Sequence, residues 1–219
     1  MTQKSPVKQG SRAASPRKAS IRRQNQAVIL AAAEDVFAER GYAGASMSEI
    51  ARRADLPKAN LHYYFGTKEE LYRAVLDDIL TAWRHDMDGF RSDADPKQAV
   101  SAYIRLKLDF SHRRASGSKV FANEIIHGAS VLGDALGDLV RAGIAGKDKV
   151  VDEWVTKGLI APVDGRHFFI MLWAMTQHYA DFEVQIRKVL GKEALTEADW
   201  REIAIQVETF VLRALCLPV

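Results

Sequence analysis

The stretch from Ser46 to Phe65, SMSEIARRADLPKANLHYYF, constrains this chain more than any other. Ser46 with Glu49 three residues on is a capping box, which starts a short helix at Met47. Ile50 and Ala51 give that helix a small apolar face, and Ala54 closes it. Asp55 is one of the few non-glycine residues that tolerates a left-handed turn. Pro57 suits the first turn of a second helix, where a missing N–H costs nothing. On that second helix Leu61 and Phe65 are four apart and point inward. Lys58, Asn60, His62 and Tyr64 are left on other faces, while Tyr63 fits either packing or contact. Two turns of helix are not stable alone, so another element must hold them. A sharp pair of short helices, the second loaded with donors, is the helix-turn-helix arrangement that sets a recognition helix in the DNA major groove.

The brace lies just upstream. From Ser20 to Arg40 the apolar positions Val28, Ile29, Ala32, Val36 and Phe37 repeat at helical spacing. Gly41 ends that helix, and Tyr42 can fold back on Phe37. Thr67 with Glu70 is a second capping box, opening a helix from Lys68 to about Phe90. Beyond a boundary at Asp93 to Pro96, helical patterns run over Ala99–Ser111, Lys119–Ile126, Leu132–Ile144, Val150–Lys157, His167–Leu190 and Asp199–Leu215. Nothing alternates with a two-residue period, so the fold class is all-α with no sheet. Three units are expected: a disordered basic arm over 1–19, a helix-turn-helix DNA-binding domain over 20–67, and a larger helical domain over 68–219.

Charge is distributed to match. Of 31 Lys and Arg residues, seven fall in the first 23 positions with no acid among them, leaving 24 basic against 28 acidic residues in the remainder. A basic end on a mildly acidic body is the asymmetry expected where one end meets phosphate. The arm either adds phosphate or minor-groove contacts or is a solvated tail. No window approaches the length of a membrane span. The single Cys216 excludes an internal disulfide and fits a reducing cytoplasm, as a small residue on a core face.

Residues 25–72 resemble the DNA-binding domain of the TetR family of bacterial repressors, through AAAEDVFAERGY (Ala31 to Tyr42), ARRAD (Ala51 to Asp55) and NLHYYFGTKEELY (Asn60 to Tyr72). Asp55 stands where the family usually has glycine, and Pro57 where a serine-like cap is common. The resemblance implies operator DNA as partner, with base contacts from Lys58, Asn60, His62 and Tyr64 and phosphate contacts from Ser48 and Lys68. Lysine can donate to guanine and asparagine can pair with adenine. It also implies a homodimer through the last two helices. The stripe Trp200, Ile203, Ala204, Val207, Phe210, Val211 and Ala214 has the required three- and four-residue steps, although burial within one chain would produce the same pattern.

A finer resemblance, to the pyrimidine-utilisation repressors of that family, is carried by YIRLKL (Tyr103 to Leu108), the Phe121/Glu124 pair and TQHYADF (Thr176 to Phe182). It implies uracil or thymine as small-molecule effector. Trp173, Gln177 and Asp181 share one helix side, and a carboxamide such as Gln177 supplies both partners to a pyrimidine edge. Trp83, Lys107, Phe121 and Glu124 are expected to line the same cavity. The alternatives are core roles for Trp173 and Gln177, or an apolar drug or fatty-acyl effector. Enzyme signatures fail. AGIAGKD (Ala142 to Asp148) lacks the first glycine of a phosphate loop, having Arg141 there, and no Ser or Thr follows Lys147. No cofactor is implied, and His178 with Asp181 gives too few ligands for a metal.

Overall fold

The computed structural model describes residues 16–83, 86–133, 137, 140, 141 and 143–219. Among these every regular element is a helix, with no strand. The order is α1 (Pro16–Gly44), α2 (Met47–Arg53), α3 (Lys58–Phe65), α4 (Lys68–Trp83), α5 (Pro96–Arg113), α6 (Ala115–Ile126), α7 (Lys147–Thr156), α8 (Gly165–Asp181), α9 (Glu183–Leu190) and α10 (Glu197–Ala214).

The caps form as their residue types dictate. Ser46 accepts from the Glu49 N–H at 3.2 Å. Thr67 and Glu70 cap reciprocally: the Thr67 N–H reaches Glu70 Oε2 and the Glu70 N–H reaches Thr67 Oγ1. Asp95 and Thr196 cap α5 and α10. The helical run of α1 breaks at Gly41, whose φ of 67° is open to glycine at little cost. Tyr42 then stacks back on Phe37 at 6.3 Å, and both rings meet Tyr72 of α4. Asp55 turns the α2–α3 corner at φ 53°.

Two hydrophobic clusters result. The first joins α1 to α4 around Ile29, Phe37, Ile50, Leu61 and Leu76, and also takes in Val120 of α6 and the turn at Val131 and Leu132. The second gathers Phe90, Tyr103, Trp154 and Phe169 between α5, α7, α8 and α10. Helix α5 packs against both α8 and α10, and α1 lies along α6.

Several expectations change. Helix α4 is described as far as Trp83, and Phe90, expected near its end, is instead a buried residue outside any helix. The helix expected over His167–Leu190 breaks at Phe182, whose ψ of 32° leaves the helical range. Asp181 beside it is drawn aside to Ser118 Oγ at 2.6 Å, and no glycine or proline marks the break. Residues 16–19, assigned to the arm, begin α1, and the rest of the arm lies outside the described residues. So does part of the segment Leu132–Ile144. Cys216, expected on a core face, is exposed with φ 57°.

Candidate nucleic-acid interface and candidate effector site

Leu61 sets the orientation of α3. Its side chain is wholly buried, and Tyr64 and Phe65, three and four residues on, pack beside it on the first cluster. Residues at those spacings share a helix face, so Tyr64 turns inward, its hydroxyl accepting from Asn25 Nδ2 of α1 at 3.2 Å. The outward face carries Lys58, Ala59, His62 and Tyr63, with Asn60 half-buried at its edge. Tyr63 is 74% exposed and meets Tyr64 edge-on at 5.1 Å. The exposed tyrosine is thus Tyr63, not Tyr64, and the spacing from Leu61 already contained that signal. His62 Nδ1 lies 2.7 Å from the Gly66 carbonyl, which fixes the ring and aims its other nitrogen away from the helix end. Ser48 is exposed in the first turn of α2.

Lys68 departs from the expected phosphate contact. Its ammonium faces the carbonyls of Tyr42 (2.8 Å) and Ala45 (3.1 Å), with Ala43 at 3.5 Å, and lies 4.5 Å from the Tyr42 ring centre. It holds the corner between α1 and α2 from beneath, which explains a cation in a first turn where the helix dipole opposes it.

The residues expected to share a cavity fall into three groups. Phe110 and Phe121 each meet Trp83 edge to face, with ring centres 5.1 and 4.9 Å from it, and Lys107 Nζ sits 3.9 Å over the Trp83 ring. Burial pushes the Lys107 ammonium down to about 8, against the opposing pull of Asp86 and Asp181. Glu124 is buried but committed: its Oε1 accepts the Val131 and Leu132 N–H groups at 2.7 and 2.9 Å. It also bonds the Tyr72 phenol, which burial and the Glu124 charge push upward. Glu124 therefore closes a turn rather than facing a ligand. Trp173 belongs to the second cluster, donating from Nε1 to Tyr103 Oη at 2.7 Å. Gln177 is half-buried one turn further on, and its carboxamide makes no hydrogen bond among the described residues. The same side of α8 ends at Asp181, whose carboxyl burial raises while its bond to Ser118 of α6 opposes.

The expected pairing stripe on α10 also divides. Ile203, Val207 and Val211 are buried in their own chain, and Trp200 stacks on His112 of α5 at 4.7 Å. Phe210, 64% exposed, and Ala214 remain outward. Ile170 and Met171 stand exposed on α8.

Comparison with known proteins decides the family. A profile described as "Bacterial regulatory proteins, tetR family" matches residues 29–75, and one described as "YcdC-like protein, C-terminal region" matches residues 76–218. The chain belongs to the TetR family. It is 38% identical over 187 residues to the HTH-type transcriptional regulator RutR of Escherichia coli K12, covering 85% of this chain and 88% of that protein. The HTH-type transcriptional activator FasR of Mycolicibacterium smegmatis is 34% identical over 110 residues, covering 48% of this chain and 49% of FasR. Among solved structures, AibR in complex with isovaleryl coenzyme A and operator DNA matches with a TM-score of 0.64 at 22% identity, over 85% of this chain and 97% of AibR. PfmR of Thermus thermophilus gives 0.67 at 20%, over 85% of this chain and 95% of PfmR. This TetR-family chain is accordingly a transcriptional regulator with an N-terminal helix-turn-helix, not an enzyme. No helix among the described residues is long and apolar enough to cross a membrane.

Proposed function

We propose that this TetR-type regulator binds a palindromic operator as a homodimer and represses pyrimidine-utilisation genes until uracil or thymine releases it. The observation that carries the DNA half is the bare outward face of α3, with Lys58, His62 and Tyr63 held out by the buried Leu61. Asn60 at the edge and Ser48 on α2 complete the contact set, as base and phosphate partners respectively. One such helix reads few bases, and a two-fold dimer doubles the site, with recognition helices about 34–36 Å apart. The exposed Phe210 and Ala214 of α10, with Ile170 and Met171 of α8, are the surface offered to the second copy.

The effector half rests on the resemblance to pyrimidine-utilisation repressors and on 38% identity to RutR over most of both chains. The free carboxamide of Gln177 supports it, because an amide matches the acceptor–donor–acceptor edge of the ring. Against an apolar drug or acyl effector stands the buried ammonium of Lys107, a poor neighbour for a hydrocarbon. Release follows if the uracil-bound arrangement spaces the two α3 helices wrongly for the operator.

Labelled duplexes carrying palindromic sites from the protein's own genomic neighbourhood test both halves. Binding should weaken steeply with added salt and collapse with uracil, and Gln177→Ala should blunt the uracil response while leaving operator affinity intact. Sequence-indifferent, salt-indifferent binding would end the operator reading. Stabilisation by an acyl ligand and not by uracil would end the pyrimidine one.

A further inference from the structure

Helix α1 runs on past the domain that it braces. Asn25 is tied to Tyr64 of α3, and residues 16–24 continue the helix for about 13 Å beyond that contact. Residues seven apart share a helix face. Arg22 therefore stands in line with the wholly buried Ile29, and Arg23 in line with Leu30, which packs on the first cluster. Asn25 and Gln26, between them, are half-buried. The face that roots α1 in its own domain thus changes from apolar to amide to cation as it emerges beside α3. Arg22 and Arg23 are exposed there, and neither makes an ion pair among the described residues. No acidic residue precedes Glu34 in the chain, and Glu34 is itself bonded to Arg114. Helix α3 supplies no acid either. A cationic helix face suits an anionic membrane or a nucleic-acid backbone. The bond from Asn25 to Tyr64 favours the second, because it sets the two arginines beside the helix whose outward face carries the base-contacting groups.

We propose that Arg22 and Arg23 of α1 hold the DNA sugar-phosphate backbone at the flank of each half-site, outside the groove entered by α3. This rests on the operator reading above and extends it: α3 reads bases, and α1 supplies sequence-independent contacts that fix its register. Guanidinium suits the task, since its fork donates to two phosphate oxygens at once. Two arginines on each subunit of a dimer steepen the salt dependence of binding by about 3–4 in log–log slope, without altering which sequence is preferred.

The test is fluorescence-anisotropy titration of operator and scrambled duplexes with the full-length chain, between about 50 and 200 mM salt. The variant is Arg22→Gln with Arg23→Gln, which removes the charge and keeps a good helix former. A control, Lys149→Gln with Lys157→Gln, removes the same charge from exposed positions around α7, whose Val151 and Trp154 pack in the second cluster. Melting curves establish that both are folded. Across that salt range wild-type affinity should fall about 10- to 100-fold further than that of the arginine variant. The preference for operator over scrambled duplex should be unchanged, and the lysine control should keep the wild-type slope. Duplexes trimmed to the half-site edges should weaken the wild type and not the arginine variant. If the wild type prefers the operator and the arginine variant matches its slope, and its affinity within about twofold, the α1 contact is overturned and the operator reading stands. Equal slope changes in both variants also overturn the contact, since total charge and not position is then responsible. If the wild type binds both duplexes alike and the arginine variant still loses slope, the backbone contact stands and the operator reading falls. Arginine-dependent adhesion to phosphatidylglycerol vesicles, with DNA binding unchanged, overturns the contact in favour of a membrane surface. A wild type that binds neither duplex overturns both readings.

Discussion

Tyr63 and Tyr64 are neighbours in sequence and opposites in role. Tyr64 lies on the side of Leu61 and is tied to Asn25, whereas Tyr63 projects from the helix. Tyr63→Ala and Lys58→Ala should each weaken operator binding about 10-fold or more, in the range for one base or backbone contact, with little change in melting temperature. Tyr64→Phe, which keeps the packing, should leave operator affinity nearly unchanged. Gel-shift titrations beside melting curves separate the two behaviours. Lys107 gives a pH signature of its own. Burial makes it hold its proton less tightly when folded, at about 8, than when unfolded, at 10.5. Between those values the unfolded chain carries the extra proton, so this residue's contribution to stability improves as pH rises through the window and its penalty is complete below it. Lys107→Met should therefore stabilise the protein by roughly 3 kcal/mol near neutrality. Urea unfolding should show the advantage shrinking towards pH 10.5; an advantage independent of pH would mean that packing, not charge, is responsible.

At the scale of elements, the junction of α1, α4 and α6 is fastened by one guanidinium. Arg114, at the start of α6, bonds Glu34 of α1 at 2.6 Å and Asp78 of α4 at 2.5 Å, while Ser116 reaches Asp35 at 2.8 Å. Glu34 is nearly enclosed, so Arg114→Ala strands a buried carboxylate and should cost about 2–3 kcal/mol. The melting temperature should fall, and the operator response to uracil should change with it. Most of this level was legible in the sequence where the cause is local. Thr67/Glu70, Gly41 and Asp55 act over four residues or fewer, and each forms as its chemistry requires; of the Ser46/Glu49 box only the Ser46 half forms, the Glu49 carboxylate lying instead 3.7 Å from the Arg40 guanidinium. What escaped was set by partners distant in the chain. The break at Phe182 has no glycine or proline to announce it, and accompanies the bond from Asp181 to Ser118, 63 positions away. Lys68 looked free until Tyr42 and Ala45 came round to meet it. Glu124 read as a ligand group because nothing in the pattern shows that the 131–132 turn bends back onto it. The stripe on α10 was visible, but periodicity records that a face is apolar and not which chain covers it.

For the whole molecule, the division of α10 leads to a test of assembly. Ile203, Val207 and Val211 hold the helix to α5, so their truncation should unfold the protein. Phe210 is free of that duty, and Phe210→Glu should shift the mass measured by light scattering from dimer to monomer while the melt stays cooperative. Operator affinity should then fall steeply, since half-site binding loses the linked second contact. A wild-type mass already that of a monomer would sink the proposed homodimer, and a dimer mass unchanged by the substitution would take its pairing surface off this face of α10. The seam at Val120 and Leu132, which roots α6 in the same apolar mass as Leu61 and Ile50, bears on where this chain can be cut. Severed after α4, the front portion would carry away a raw oily flank that the back portion had been covering. Anyone wishing to graft its DNA-reading head onto another sensor would have to transplant that strip of α6 as well.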